Sequence, residues 1–582
     1  MMRRRLAVWA ALVVLGGCAP ATPPAAAPAA TRPRAPVTLS IVGTNDLHGG
    51  ILPANDRGGL AILGGYLRNL RAARAADGAV LLIDAGDMWQ GTMESNLTEG
   101  AVVVEAYNQL GYAAATIGNH EFDFGPAGAP ATPRSPADDP RGALKARAAE
   151  ARFPFVAANI IDRATGRPVD WPNVTPSTTV TAAGVTVGIV GLTTSTTFRE
   201  TIRANTVGLS LAPLAETVAT EAGRLRASGA DVVIVTAHAG GRCQAFDEPA
   251  DLSSCDEASE IVRVARALAP GLVDVIVAGH AHGGMAHEVN GMAVIESFSR
   301  GRSFGRVDLV VDPAEGRVLD RRIFPPQDLC LFAEPGSTRC AEGSGTGARP
   351  TAVYEGAPVG PDAAIEAILA PAIARVAALK AEPLGVVAAS VVSIRGGVES
   401  PLGNLFTDAM LAGSGGADLA INNTDGGLRA DLPAGPVTYG RLFEVFPFDN
   451  QLVRLTMKGR DLERVLAGHF GRSRQLLGLA GGRVEAGCAG GGLSVRILRA
   501  SGTEIRDEET VVVATTDYLA TTELFDDVRA PDGRVGTGPI VRDVVADWLR
   551  RRGGVLNAEA LVDARAPRFP PRSALPIRCW HP

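Results

Sequence analysis

The sequence predicts an α/β layered fold for a large N-terminal domain, joined to a second α/β (α+β) domain. Short apolar, β-rich runs alternate with segments of helical period through the N-terminal half. A polar loop follows each run. A Gly- and Pro-rich stretch, Glu334 to Pro361, then leads into one helix and a new strand-rich region near Pro383. A length of 582 residues suits two large domains or three to four small ones, at ~100–200 residues each.

Taken in order, Val37 to Thr44 is a strand ending at a polar loop. Leu60 to Ala76 is a helix with Leu63, Leu67 and Leu70 on one face, and Ala79 to Ile83 is a second strand. The same order recurs at Ala113–Ile117, Thr186–Val190, Asp231–Thr236 and Asp274–Ala278, while Pro126 to Pro140 is a surface loop. A helix at Asp362–Lys380 connects the domains. Beyond it, apolar runs at Leu419–Ile421, Leu452–Met457 and Val511–Ala514 are strands, and Asn404–Leu411, Asp461–Ala467 and Val541–Arg551 are helices. The expected divisions are residues 1–17 as an N-terminal leader, 18–36 as an Ala/Pro-rich tether, 37–355 as the first domain, 356–382 as connector and 383–582 as the second domain.

Composition narrows the class. Hydrophobic residues at 46% and charged residues at 20% exclude fibrous and wholly disordered readings. The net charge of −6, about −9 without residues 1–17, has the wrong sign for a nucleic-acid polymer binder. Arg3, Arg4 and Arg5, the apolar run Leu6–Leu15 and the ending Leu15-Gly16-Gly17-Cys18 read as an export signal. Those last four residues resemble a lipoprotein processing box, with Cys18 as the lipidated N-terminus and the lipid as the only membrane attachment; a plain cleaved signal or an uncleaved anchor are the alternatives. Export places the six other cysteines in an oxidising compartment. Neighbour pairing, Cys243 with Cys255, Cys330 with Cys340 and Cys488 with Cys579, is the economical arrangement of 15 possible ones. A zinc site is the competing use, without any C-x-x-C spacing to support it.

In layered α/β folds ligands gather at strand carboxyl ends. Those ends carry Asp46-Leu47-His48, Gly86-Asp87, Gly118-Asn119-His120-Glu121, His238 and Gly279-His280-Ala281-His282. Carboxylate, imidazole and carboxamide ligands suit zinc, manganese or a similar divalent ion. They exceed one tetrahedral site, and two ions ~3.5–4 Å apart with Asp87 between them would use them all.

These motifs resemble the calcineurin-like metallophosphoesterases, and GDMWQGT with GNHEFDFG resembles their 5′-nucleotidase branch. The resemblance covers about 40–320 strongly and about 384–555 more weakly. It implies a four-layer sandwich of β-sheets flanked by helices. It also implies two divalent metal ions, one held by Asp46, His48 and His282, the other by Asn119, His238 and His280, with Asp87 shared. Hydrolysis would run through a metal-bound hydroxide, with His120 and Asp123 as the catalytic pair beside the transferred phosphate. His287, outside every motif, is expected at the surface.

In the second domain, Glu399-Ser400-Pro401-Leu402-Gly403-Asn404 with Arg395 upstream, Gly426-Gly427-Leu428-Arg429 and Pro447-Phe448-Asp449-Asn450 resemble the family's substrate motifs. Arg395, Asn404, Arg429, Phe448 and Tyr518 are thereby the implied nucleotide contacts. Since 53 of the 56 basic residues are arginine, an arginine alone carries little information. Two departures stand out: Thr424 occupies the place of an expected Asn, although Asn423 is adjacent, and Thr522-Glu523-Leu524 stands where Gly-Gly-Asp is expected, leaving Asp526 and Asp527 as nearby carboxylates. The implied activity is release of phosphate from nucleoside 5′-monophosphates. The alternatives are a 2′,3′-cyclic-nucleotide phosphodiesterase, a nucleotide-sugar hydrolase, a thiosulfohydrolase-like enzyme, or a surface lipoprotein that binds nucleotide without turnover. The sequence leaves oligomeric state open.

Overall fold

The computed structural model describes residues 35–128, 131–341, 349–396, 399–490, 492–528 and 538–579. The expected export signal, Cys18 and most of the expected tether lie outside these residues, and so do the side chains of Asp526 and Asp527. Among the described residues no helix is long and apolar enough to cross a membrane.

Two sheets form the centre of the first domain. One runs in the order Arg317–Asp328, Ser303–Asp312, Val37–Thr44, Gly78–Asp84, Tyr112–Thr116, Phe155–Val156, Val174–Thr175. The other runs Gly284–Val289, Met292–Ser297, Val275–Ala278, Val232–His238, Val185–Thr193, Ser177–Ala182. Strand alternation decides which face meets which layer. Leu39, Ile41, Leu81 and Ile83 of the first sheet pack on Ile189, Ile234, Val275 and Val277 of the second. The opposite faces, with Val42 and Leu82 on one sheet and Val190, Val233, Val235 and Ile276 on the other, are covered by helices. Helices Leu60–Arg74, Ala101–Leu110 and Gly142–Glu150 cover the first sheet, and Leu214–Ala227 and Glu260–Ala267 the second. This is the four-layer arrangement the resemblance implied. Burial on both faces explains why the strands read as continuous apolar runs. The parallel pairing of Val37–Thr44 with Gly78–Asp84, and of the latter with Tyr112–Thr116, brings three carboxyl ends to one edge. The parallel pair Val232–His238 and Val275–Ala278 does the same in the second sheet.

The helix Ala363–Ala381 starts where Asp362 accepts hydrogen bonds from the Ala364 and Ile365 amides. Its Ile365, Leu369 and Ala372 belong to the first domain's core and its Val376 to the second's, so one rigid element is shared by both. The second domain holds a four-stranded sheet in the order Leu452–Lys458, Thr510–Thr516, Leu419–Asn423, Leu477–Ala480, and a three-stranded sheet of Gly435–Thr438, Pro383–Ala388 and Gly554–Leu556. The helix expected from Asn404 begins at Pro401, because Ser400 caps it and proline fits the first helical turn. A hairpin of Gly482–Ala489 and Gly492–Arg499 has no counterpart in the sequence expectations.

The disulfides Cys243–Cys255, Cys330–Cys340 and Cys488–Cys579 are present. His287 corrects the sequence expectation: it is 1% exposed on strand Gly284–Val289, beside Phe246 in the loop closed by Cys243–Cys255.

Candidate metal centre and substrate cleft

The strand ends bring Asp46, His48, Asp87, Asn119, His238, His280 and His282 to one place. Asp46, His48 and His282 form one group of converging ligand atoms, and Asp87, His238 and His280 another. Asp87 Oδ2 lies 3.7 Å from His48 Nε2 and 3.2 Å from His238 Nε2, between the two groups.

Whether a cation fits is decided by which atoms face each other. His48 Nδ1 lies 3.0 Å from the Gln90 carbonyl, and His238 Nδ1 2.8 Å from that of Ala85. A carbonyl only accepts, so both Nδ1 atoms carry hydrogen, and Nε2 turns a lone pair inward where the ring is neutral and a proton where it is cationic. There His48 Nε2 meets His282 Nε2 at 2.9 Å, and His238 Nε2 meets Asn119 Oδ1 at 3.1 Å. Asp46 Oδ1 is buried with no hydrogen-bond partner. Burial pushes His48 down to about 3, keeping it neutral, and burial would lower His238 too, but Asp87 overrides this and pushes it up to about 10. One proton on His238 leaves the remaining facing acceptors unsatisfied. Divalent cations would satisfy them all, and the donor set fits such ions.

The ligand loops are strained. Asp46, His48, Asp87, His280 and His282 all have positive φ, from 47° to 81°, at a cost of order 1–3 kcal/mol each. Two buried carboxylates hold these loops in place. Glu121 accepts from the amides of Asp87 and Met88, both at 2.8 Å, and of Gly118 at 2.6 Å. Glu296 accepts from Gly241 at 2.8 Å and Gly283 at 3.2 Å, joining the loops that follow His238 and His282. At Gly118 a Cβ would stand 2.2 Å from Asp87 Oδ1, so only glycine lets the two loops approach. Glu121→Ala removes the carboxylate that accepts from three backbone amides and is expected to weaken metal affinity by about 10–100-fold, measured by chelator competition. Unchanged affinity in a folded variant would exclude the clamping role.

Beside the cluster, His120 Nδ1 meets Asp123 Oδ2 at 2.6 Å, and Asp123 Oδ1 accepts from Thr201 Oγ1 at 2.9 Å. Burial alone would lower the His120 pKa, but Asp123 and Asp87 outweigh it and raise it. His120 Nε2 points into a cleft between the domains, of about 490 Å³, where Arg429 Nη2 lies 3.4 Å away. Phe448 lies nearly parallel to the His120 ring at 6.1 Å, and Tyr518 also lines the cleft. Tyr518 is positioned by buried Asp517, which accepts from its amide at 2.8 Å.

Two implied substrate contacts lie elsewhere. Asn404 is buried and spends its amide on Glu399 Oε2 and the Leu561 carbonyl. Arg395 is exposed and absent from the cleft lining. Asn423 lines the cleft while Thr424 is buried. Thr522 caps the short helix Asp517–Thr521 through the Leu519 carbonyl and leaves Tyr518 in place. Sequence reasoning missed Gln90 and Asn96, which both donate to the Pro447 carbonyl at 3.0 Å across the domain boundary. It also missed Glu200, 3.0 Å from His280 Nε2. No motif marks Glu200; Gln90 lies inside GDMWQGT, the signal that could have found it.

The calcineurin-like phosphoesterase profile matches residues 39–284, and that of the 5′-nucleotidase C-terminal domain matches 377–524. "Endonuclease YhcR" of Bacillus subtilis (strain 168) is 27% identical over 537 residues, 88% of this chain and 39% of its own, so the chain spans less than half of that relative. "Protein UshA" of Yersinia enterocolitica is 27% identical over 459 residues, 74% of this chain and 76% of its own. The crystal structure of a 5′-nucleotidase precursor from Thermus thermophilus superposes with a TM-score of 0.65 at 25% identity, covering 89% of this chain and 97% of that one. The chain is a two-domain calcineurin-like phosphoesterase carrying the C-terminal domain of the 5′-nucleotidases.

Proposed function

We propose that the protein is an exported, divalent-metal-dependent phosphohydrolase that releases phosphate from nucleoside 5′-monophosphates. The observation that carries this reading is the convergence, in one cleft, of His120 from the first domain with Arg429, Phe448 and Tyr518 from the second. Asp46, His48 and His282 would hold one ion and Asn119, His238 and His280 the other, with Asp87 shared. When bound, such ions neutralise phosphoryl charge and acidify water. Arg429 Nη2 and His120 Nε2 converge to 3.4 Å in the cleft, and with His120 cationic both are donors, an arrangement suited to a phosphate oxygen. Asp123 accepts the His120 Nδ1 proton and, with Asp87, raises the ring's pKa against the effect of burial, so that the cationic form presents its Nε2 proton to the phosphoryl group or departing oxygen. Phe448 and Tyr518 offer faces for the base.

Three disulfides support export, since such bonds persist in oxidising compartments. Lipidation at Cys18 rests on the sequence of residues 3–18 alone.

Phosphate release from AMP, 2′,3′-cyclic AMP, UDP-glucose and bis(4-nitrophenyl) phosphate, with several divalent metals, tests the assignment. AMP is expected to lead, and absence of release from every substrate would sink it. Tight AMP binding without hydrolysis would point to a binding protein. Phe448→Ala and Tyr518→Ala should each cost about 1–3 kcal/mol of base stacking, roughly 5–150-fold in kcat/KM for AMP. 4-Nitrophenyl phosphate, which has no base, should be much less affected.

A further inference from the structure

A second cleft, of about 310 Å³, opens on the other side of the metal cluster. His282, Arg429, Gln90 and Pro447 line both clefts, so the two are lobes meeting at the cluster. The charge of the second lobe is lopsided: Arg57, Arg300, Arg302, Lys380 and Arg429 line it, against Glu444 as the one carboxylate. Arg57 is paired with Asp328 and Lys380 with Glu94. Arg300, Arg302 and Arg429 have no carboxylate within ion-pair distance among the described residues. Crowding by protein atoms, and then repulsion from Arg302 and Arg429, holds the Arg300 guanidinium below its usual value. In a chain of net charge −6, three unneutralised guanidinium groups in one concavity form a local anion site. Arg300 is also tied to the metal centre, because its amide donates to the Asp46 carbonyl at 2.7 Å, and the Arg302 carbonyl accepts from the Leu329 amide at 2.8 Å, which fixes the same loop.

We propose that this lobe is an anion subsite in which Arg300 and Arg302 hold a phosphate group lying beyond the one at the metal cluster. The inference rests on the proposed function, which puts the nucleoside in the first lobe. That phosphate has two sources, the distal phosphoryl group of a nucleoside diphosphate or the inorganic phosphate leaving the cluster. Guanidinium groups recognise either one bidentately.

The test compares wild-type holoenzyme with the doubly substituted Arg300→Gln/Arg302→Gln enzyme. kcat/KM for ADP relative to AMP and the inhibition constant of inorganic phosphate are measured in both. A roughly tenfold fall in the ADP/AMP ratio assigns the subsite to the substrate's distal phosphate, as expected for losing charged hydrogen bonds. A roughly tenfold weaker phosphate inhibition assigns it to the product, and both shifts together mean a shared site. Arg300→Lys/Arg302→Lys, which keeps the charge, should recover part of the lost effect and separates charge from misfolding. Both quantities within twofold of wild type overturn the proposal. If wild type hydrolyses neither nucleotide, the proposed function fails instead. Calorimetric titration of inorganic phosphate into the same two holoenzymes still decides the subsite, with about tenfold weaker binding expected for the Gln variant and equal binding overturning it.

Discussion

Asp87→Ala is expected to lower phosphate release from AMP by about 10³-fold, because it removes the anion between the two ligand groups and several kcal/mol of transition-state stabilisation with it. The geometry gives the reason. Asp87 Oδ2 faces both His48 and His238, while Oδ1 accepts the His120 amide at 2.9 Å, so one side chain ties both halves of the cluster to the catalytic histidine's backbone. Burial favours a protonated Asp87, yet the charges of His238 and His120 draw it well below the usual carboxylate range, so the anion is the form held in place. Asp87→Asn keeps the shape and removes the charge, so it should retain the fold while still losing most activity and part of the bound metal. Elemental analysis of the purified variants supplies the second readout. Near-normal rates with full metal content in Asp87→Ala would exclude a bridging role.

How much of this was legible in the sequence depended on whether the deciding interaction was local. Val37–Thr44 was readable from end to end because both its faces are buried, which makes every position apolar or small up to the polar loop. The strand-end residues were readable because parallel pairing alone carries Asp46, Asp87 and Asn119 to one edge. Asn404 misled because its partner, the Leu561 carbonyl, lies 157 residues away and turns a motif position into a buried support. His287 misled because the cover over its strand is a loop closed by Cys243–Cys255, which alternation along the strand does not reveal. Glu121 was visible within its motif, but its role was not, since two of its three amides lie 33 and 34 residues earlier in the chain. Glu296 has no motif at all and works through Gly241, 55 residues away. The Arg300–Arg302 lobe was hidden by composition: in an arginine-rich chain, only the lack of neighbouring carboxylates distinguishes these two.

His120→Ala should reduce kcat for AMP by about 10²–10⁴-fold, the range for loss of a positioned acid, while leaving the metal content close to wild type. His120 contributes only its backbone amide to Asp87, and an alanine retains that amide, so the cluster keeps its support. Leaving-group dependence then separates two roles. If Nε2 protonates the departing oxygen, 4-nitrophenyl phosphate, whose leaving group needs no proton, should lose far less rate than AMP. If His120 instead neutralises the phosphoryl group, the two substrates should fall together. Asp123→Asn adds a graded comparison. It removes the carboxylate charge that, with Asp87, outweighs burial in raising the His120 pKa, so that pKa should drop toward its ordinary value. Activity depending on protonated His120 would then fade at lower pH than in wild type, because a group whose pKa is raised is active below that pKa and loses its proton as pH rises through it. A wild-type alkaline limb in Asp123→Asn, together with equal losses for both substrates in His120→Ala, would leave His120 only a phosphate-binding role.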